Sequence, residues 1–190
     1  MDLRKTAANL LTKPLLPIVS KTRLTPNCLT WFGLAINIIA AWLIAINNLL
    51  IAGLLVLFSG LLDILDGSLA RYTNKTTIFG SLLDSSFDRL SEGIVLFGIL
   101  FLYLRNGNEL GIYIVFGVLV SSYLVSYVRA RAEGLGFECK VGLFTRTERV
   151  IILSLGLLIN QVFIALIILL VFSFFTFGQR LFYLYRQIKK

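Results

Sequence analysis

The sequence predicts an all-α integral membrane protein, with six transmembrane helices and an amphipathic helix at the membrane surface before them. Three observations carry this prediction. Hydrophobic residues make up 57% of the chain and mean hydropathy is +0.87, beyond the roughly half apolar content of soluble domains. Apolar runs near the roughly 20 residues that cross a bilayer recur along the chain. Basic residues are sorted by position: of 18 Lys and Arg, all but Arg105 fall on one side of the alternating connections. A net charge of +8 sorted in this way reads as membrane topology, and no nucleic-acid partner is expected.

The elements follow in order. Residues 1–22 form a juxtamembrane segment, with Leu3, Ala7, Leu10 and Leu11 at helical spacing beside Arg4, Lys5 and Lys13. That pattern suits a helix lying on anionic membrane lipids. Pro14 and Pro17 interrupt its apolar positions, so it does not read as a signal peptide. Residues 23–190 form the six-helix domain. The first helix runs from Pro26 to Ile46 and "INN" closes it; the second runs from Leu49 to Arg71. A third begins near Ile78 and continues to Leu104; after "RNGNE" a fourth covers Leu110 to Ala132. The fifth starts near Leu143, because its purely apolar part, Val150 to Ile159, is too short to span alone. The sixth follows Asn160 and Gln161, from Val162 to Tyr185. The positive-inside rule then places both termini on the cytoplasmic face of the cell membrane. Cys28 and Cys139 make no disulfide framework and, with no His, no zinc site.

Five of the ten acidic residues, Asp63, Asp66, Asp84, Asp88 and Glu92, cluster around the second-to-third turn. Asp63 and Asp66 share one helix face, and so do Asp84 and Asp88. A short turn is expected to set the two helices side by side so that these faces meet. Four converging carboxylates at a membrane boundary repel one another and lose hydration, so a cation must compensate. Arg71 and Arg89 offset part of the charge. An all-oxygen donor set suits Mg2+ or Mn2+, and four carboxylates on two helices make room for two ions. Helix capping and snorkelling would account for one or two of these residues, not for four on facing surfaces. Gly67 and Ala70 bare backbone beside the carboxylates, Arg71 offers a planar fork for phosphate, and Thr77 lies in the turn with a hydroxyl.

The run "DILDGSLAR" at 63–71, eight intervening residues, then "GSLLDSSFD" at 80–88 resembles the complete signature of the CDP-alcohol phosphotransferases. "TPNCLT" at 25–30 and the six-helix layout fit the same family, so the resemblance covers nearly the whole chain. It implies displacement of CMP from a CDP-linked lipid by an acceptor hydroxyl at the cytoplasmic edge of the bilayer. It further implies that Asp63, Asp66 and Asp84 hold two Mg2+ ions, and that Asp88 shares a metal and acts as general base. Asn27, Gly67, Arg71 and Thr77 would contact the nucleotide, and the enzyme would be a homodimer. Glu92 lies outside the signature and reads as a partner for Arg89 or for another helix.

A second constellation bears on the acceptor. Arg129, Arg146, Arg149 and Arg180 sit at or inside helix ends around the later connections. If those helices close around the carboxylates, they form a basin for a phosphorylated small polyol. Glu133 and Glu148 are expected to pair with some of the basic residues there, which also include Arg131 and Lys140. "YVRARAEGLG", "RTER" and "QR" resemble the phosphatidylinositol-phosphate and archaetidylinositol-phosphate synthase branch, which implies inositol 1-phosphate as acceptor and CDP-diacylglycerol or CDP-archaeol as donor. The nearest competitor is a phosphatidylglycerophosphate synthase using glycerol 3-phosphate. A cation transporter is the alternative of another class; it requires polar residues continuing through the bilayer, and the second and third helices turn apolar beyond Ser59 and Glu92. Gly98, Gly117 and Ser121 are candidates for helix packing and dimerisation.

Overall fold

The computed structural model describes residues 26–73, 76–139 and 141–189, so the surface helix expected over 1–22 lies outside the described residues. Six helices appear: α1 (Pro26–Ala45), α2 (Leu49–Tyr72), α3 (Ile78–Arg105), α4 (Glu109–Gly134), α5 (Arg146–Leu158) and α6 (Val162–Ile188).

Tight turns join α1 to α2, α3 to α4, and α5 to α6, and all three are built alike. Asn47, Gly107 and Asn160 adopt left-handed backbone with φ of 66°, 67° and 55°. The following amides then reach back five residues, Asn48 N to Leu43 O, Asn108 N to Tyr103 O and Gln161 N to Gly156 O, at 2.7–3.0 Å. This back-bonding satisfies carbonyls that a helix end leaves orphaned, and Asn and Gly are the residues that tolerate the conformation. The sequence "INN", "NGN" and "NQ" therefore encodes three hairpin-like reversals.

The close helix contacts form a closed ring: α1 packs on α2, α2 on α5, α5 on α6, α6 on α4, α4 on α3, and α3 back on α1. Small residues allow the closest approaches. A Cβ on Gly98 of α3 would lie 2.6 Å from the Ala41 carbonyl of α1, and one on Gly117 of α4 would meet Leu170 of α6 at 2.8 Å. Ser121 is fully buried. These residues are thus spent on packing within one chain. The ring interior at the end away from the carboxylates is filled by Ile44, Ile99, Leu102, Leu157 and Leu166, all buried.

Two expectations need correction. First, α2 and α3 are not a closely packed pair. Helix α1 lies against both, so their carboxylates meet in front of its first turns. Second, α5 begins at Arg146, not near Leu143. Residues 141–145 form a strap tied to α6 instead: Phe144 N donates to Thr176 Oγ1 (3.2 Å), Leu143 N to Gln179 Oε1 (3.3 Å), and Arg180 Nε to the Val141 carbonyl (3.0 Å). Glu148 accepts from Thr145 N at 2.7 Å and so closes the start of α5 as a helix cap.

Four helices, α1, α2, α4 and α6, contain stretches long and apolar enough to cross a membrane. Helix α3 is 28 residues long but carries Asp84, Asp88, Arg89 and Glu92 within its first fifteen residues. Helix α5 has only 13 residues, about 20 Å. Outward faces are rich in large apolar side chains, including Trp42, Phe97, Tyr113, Phe116 and Phe175, as a lipid-facing surface requires.

Candidate active site

The carboxylates sit at the open end of the ring. Oxygens of Asp63, Asp66 and Asp84 lie within 4.8 Å of one another. Asp66 is 4% exposed, and Thr30 Oγ1 of α1 donates to its Oδ2 at 2.9 Å. Asp84 Oδ1 is buried without a hydrogen-bond partner. Three close carboxylates, one with an orphaned buried oxygen, are costly unless a cation joins them. The donor set is all oxygen, so the residues fit a hard divalent ion. Asp88 stands outside this group of three. Arg146 joins it to them, its Nη1 lying 2.6 Å from both Asp63 Oδ2 and Asp88 Oδ1.

Two cavities flank the carboxylates. One, of about 180 Å³, is lined by Asn27 and Thr30 of α1, Asp66, Gly67, Ala70 and Arg71 of α2, and Thr76, Thr77, Gly80, Ser81 and Asp84 at the start of α3. All four residues expected to contact a nucleotide line it. Thr77 Oγ1 caps α3 by accepting from Gly80 N at 2.9 Å, which leaves its hydroxyl proton for another partner. Gly80 is required by crowding: a Cβ there would lie 2.9 Å from Thr77 Oγ1 and 3.4 Å from Asn27 Oδ1. Arg71 Nη2 touches Ser68 Oγ only weakly, at 3.4 Å, and Gly67 lies open beside its guanidinium.

The second cavity, of about 400 Å³, opens between α3, α4, α5 and α6. Arg129, Arg146, Arg149 and Arg180 all line it, as the basin requires. It is not simply basic. Arg89 and the four expected arginines share it with Asp84, Asp88, Glu92 and Glu133. Arg129 pairs with Glu133 at 2.8 Å on the exposed surface of α4. Arg149 makes two bonds to Glu92, Nε to Oε1 at 2.7 Å and Nη2 to Oε2 at 2.8 Å. Arg180, 3% exposed, donates Nη1 to the Val125 carbonyl at 2.5 Å besides its bond to Val141. Arg89 folds back onto the Ser85 carbonyl of its own helix. The two cavities meet at Ser81 and Asp84, which line both.

Sequence reasoning missed two contributions. Thr30 was visible only as the last residue of "TPNCLT", with nothing in its spacing to aim it at Asp66. The partner of Glu92 was left between Arg89 and another helix; it is Arg149, 57 residues away.

The sequence model of the CDP-alcohol phosphatidyltransferase family matches residues 23–178. The chain belongs to this family. It is a membrane-bound, metal-dependent CDP-alcohol phosphotransferase. An archaetidylinositol phosphate synthase from Methanothermobacter thermautotrophicus is 38% identical to it over 179 residues, covering 91% of this chain and 89% of that one. The crystal structure of Mycobacterium tuberculosis phosphatidylinositol phosphate synthase with CDP-DAG bound superposes with a TM-score of 0.81 at 30% identity, over 90% of this chain and 91% of the other. A second structure of that enzyme, in complex with manganese and citrate, gives a TM-score of 0.78 at 30% identity over 90% and 87%.

Proposed function

We propose that this CDP-alcohol phosphotransferase transfers a phosphatidyl-type group from CDP-diacylglycerol or CDP-archaeol to inositol 1-phosphate, releasing CMP in phospholipid biosynthesis. The observation that carries the reading is that two cavities share Asp84 in their walls: a small cleft of backbone, amide and hydroxyl groups with one arginine, Arg71, on one side, and a chamber lined by five arginines on the other. A group-transfer enzyme needs two such compartments abutting at the reacting phosphorus. The names of the relatives, archaetidylinositol phosphate synthase and phosphatidylinositol phosphate synthase, support the acceptor.

Asp63, Asp66 and Asp84 would hold two Mg2+ ions, with Asp88 sharing one, and the ions would neutralise the pyrophosphate and the entering and leaving oxygens. The chain's own groups then do the following. Asn27, Gly67, Arg71 and Thr77 seat the cytidine nucleotide in the smaller cleft. Thr30 fixes the orientation of the Asp66 carboxylate through its 2.9 Å bond. In the larger cavity Arg129, Arg146, Arg149 and Arg180 receive the acceptor's phosphate, a dianion that guanidinium groups match in geometry and charge. Asp88 takes the proton of the acceptor hydroxyl. That oxygen bonds to the lipid-side phosphorus, the bond from this phosphorus to the CMP oxygen breaks, and CMP leaves with the electron pair.

The same reading extends to placement. The catalytic domain spans residues 23–190, of which the family model matches 23–178. All six helices are membrane spans, with α3 and α5 reaching the cytoplasmic face through their charged starts. The site and both termini face the cytoplasm at the plasma membrane, on the strength of the one-sided distribution of Lys and Arg. The homodimer rests on family resemblance alone.

The test is CMP release by purified protein with Mg2+ and either CDP-lipid, comparing inositol 1-phosphate, glycerol 3-phosphate and free inositol. Turnover with inositol 1-phosphate, abolished in Asp88→Asn, is expected. Preference for glycerol 3-phosphate would keep the site and overturn the acceptor. Equal turnover with free inositol would overturn the phosphate basin.

A further inference from the structure

Helices α3 and α5 are not neighbours in the ring, yet two arginine–carboxylate rungs connect them. The outer rung is Arg146 to Asp88. The inner rung is Arg149 to Glu92, one helical turn deeper on each side. Their characters differ. Arg146 is shared between two carboxylates, and its side chain is 26% exposed. The inner pair is bidentate and more deeply buried, with side chains 3% and 9% exposed. Both of its members line the larger cavity.

A guanidinium buried at this depth needs a fixed counter-charge. Glu92 supplies it and engages Nε and Nη2, so Nη1 is the nitrogen not spent on the pair. A bidentate grip also removes the rotational freedom of a long side chain before any ligand arrives, which lowers the entropic cost of binding. The alternative role, a simple stabilising bridge, is a poor fit. Buried ion pairs are often no more stabilising than apolar residues of the same size, and the rung spans a gap between helices that do not otherwise pack closely.

We propose that Glu92 is a positioning residue for the acceptor: by holding Arg149 across the ring it presents this arginine to the acceptor's phosphate. The inference rests on the phosphorylated-acceptor reading given above. Glu92 lines no part of the nucleotide cleft and is not one of the three close carboxylates, and the arginine it grips by hydrogen bonds is Arg149.

The experiment is initial-rate kinetics of Glu92→Gln and Glu92→Asp, varying acceptor and CDP-lipid separately, beside calorimetric binding of CMP with Mg2+. Glu92→Gln should raise the acceptor KM by about 10- to 100-fold, the usual cost of losing a group that orients a ligand. KM for the CDP-lipid and CMP affinity should stay within about two-fold, less than RT in free energy. Glu92→Asp, which keeps the charge, should recover part of the loss. An unchanged acceptor KM in Glu92→Gln would overturn the proposal. So would loss of CMP binding in both variants, which would make Glu92 a purely structural residue. If the wild-type enzyme itself takes unphosphorylated and phosphorylated acceptors equally, the acceptor reading fails first, and this inference falls with it.

Discussion

The two sides of Asp84 are built by opposite means. On the nucleotide side, α1, α2 and the start of α3 present small groups: amide, hydroxyl and glycine backbone, with Thr30 and Thr77 already bonded in place. On the other side, α3 to α6 present long arginines, each held by a carboxylate or a carbonyl. The first side can approach a bulky ligand closely because, Arg71 apart, its groups are short and Gly67, Ala70 and Gly80 leave backbone bare. The second reaches a small anion at a distance because its side chains are long and restrained. Short groups suit a cleft for the proposed CDP-lipid donor, and restrained arginines suit the charge of the proposed phosphorylated acceptor.

Asp84 belongs to both sides, so Asp84→Asn should have the largest effect. Several kcal/mol of charge stabilisation reside in such a ligand set, and CMP release should fall by about 1,000-fold or more with every acceptor. A variant confined to either acceptor or donor kinetics would break the comparison. Arg180→Lys comes next. It removes the fork that bonds Val125 and Val141, and Lys is no substitute at a multidentate site. The acceptor KM should rise by about 10- to 100-fold, with the CDP-lipid KM unchanged in the same assay.

Gly80→Ala probes the nucleotide side alone. Its Cβ would press on Thr77 Oγ1 at 2.9 Å, displacing the cap of α3 at a cost of about 1 kcal/mol. A rise of roughly five-fold in the CDP-lipid KM is expected from a change of that size, with acceptor KM unaffected. Arg129→Gln should be smallest. Its pair with Glu133 is half exposed, and such pairs contribute about 0–1 kcal/mol. Thermal unfolding should barely move, while the acceptor KM rises by at most roughly five-fold.

The same contrast explains what was legible in the sequence. The nucleotide side and the carboxylates come almost entirely from residues 63–88, where helical spacing alone puts Asp63 with Asp66 and Asp84 with Asp88 on shared faces. The arginine side draws on residues 129, 146, 149 and 180. Their common location followed from topology, but their partners did not. Arg149 reaches Glu92 only because α5 and α3 face each other across a ring, an arrangement that no local period encodes. The order of packing was equally hidden: a short α2–α3 turn suggested direct contact, whereas the backbone contact of Gly98 with Ala41 seats α3 on α1. The helix ends were better marked, because Asn47, Gly107 and Asn160 stop helices by their own backbone preferences. The start of α5 was misread because the strap over residues 141–145 is held by α6 and not by its own sequence.

The central claim is that donor and acceptor occupy separate compartments meeting at Asp84. Calorimetric titration of inositol 1-phosphate into the wild-type protein saturated with CMP and Mg2+ tests it most directly. Inositol 1-phosphate is expected to bind at one site per chain while CMP stays bound. Displacement of CMP by inositol 1-phosphate would contradict it.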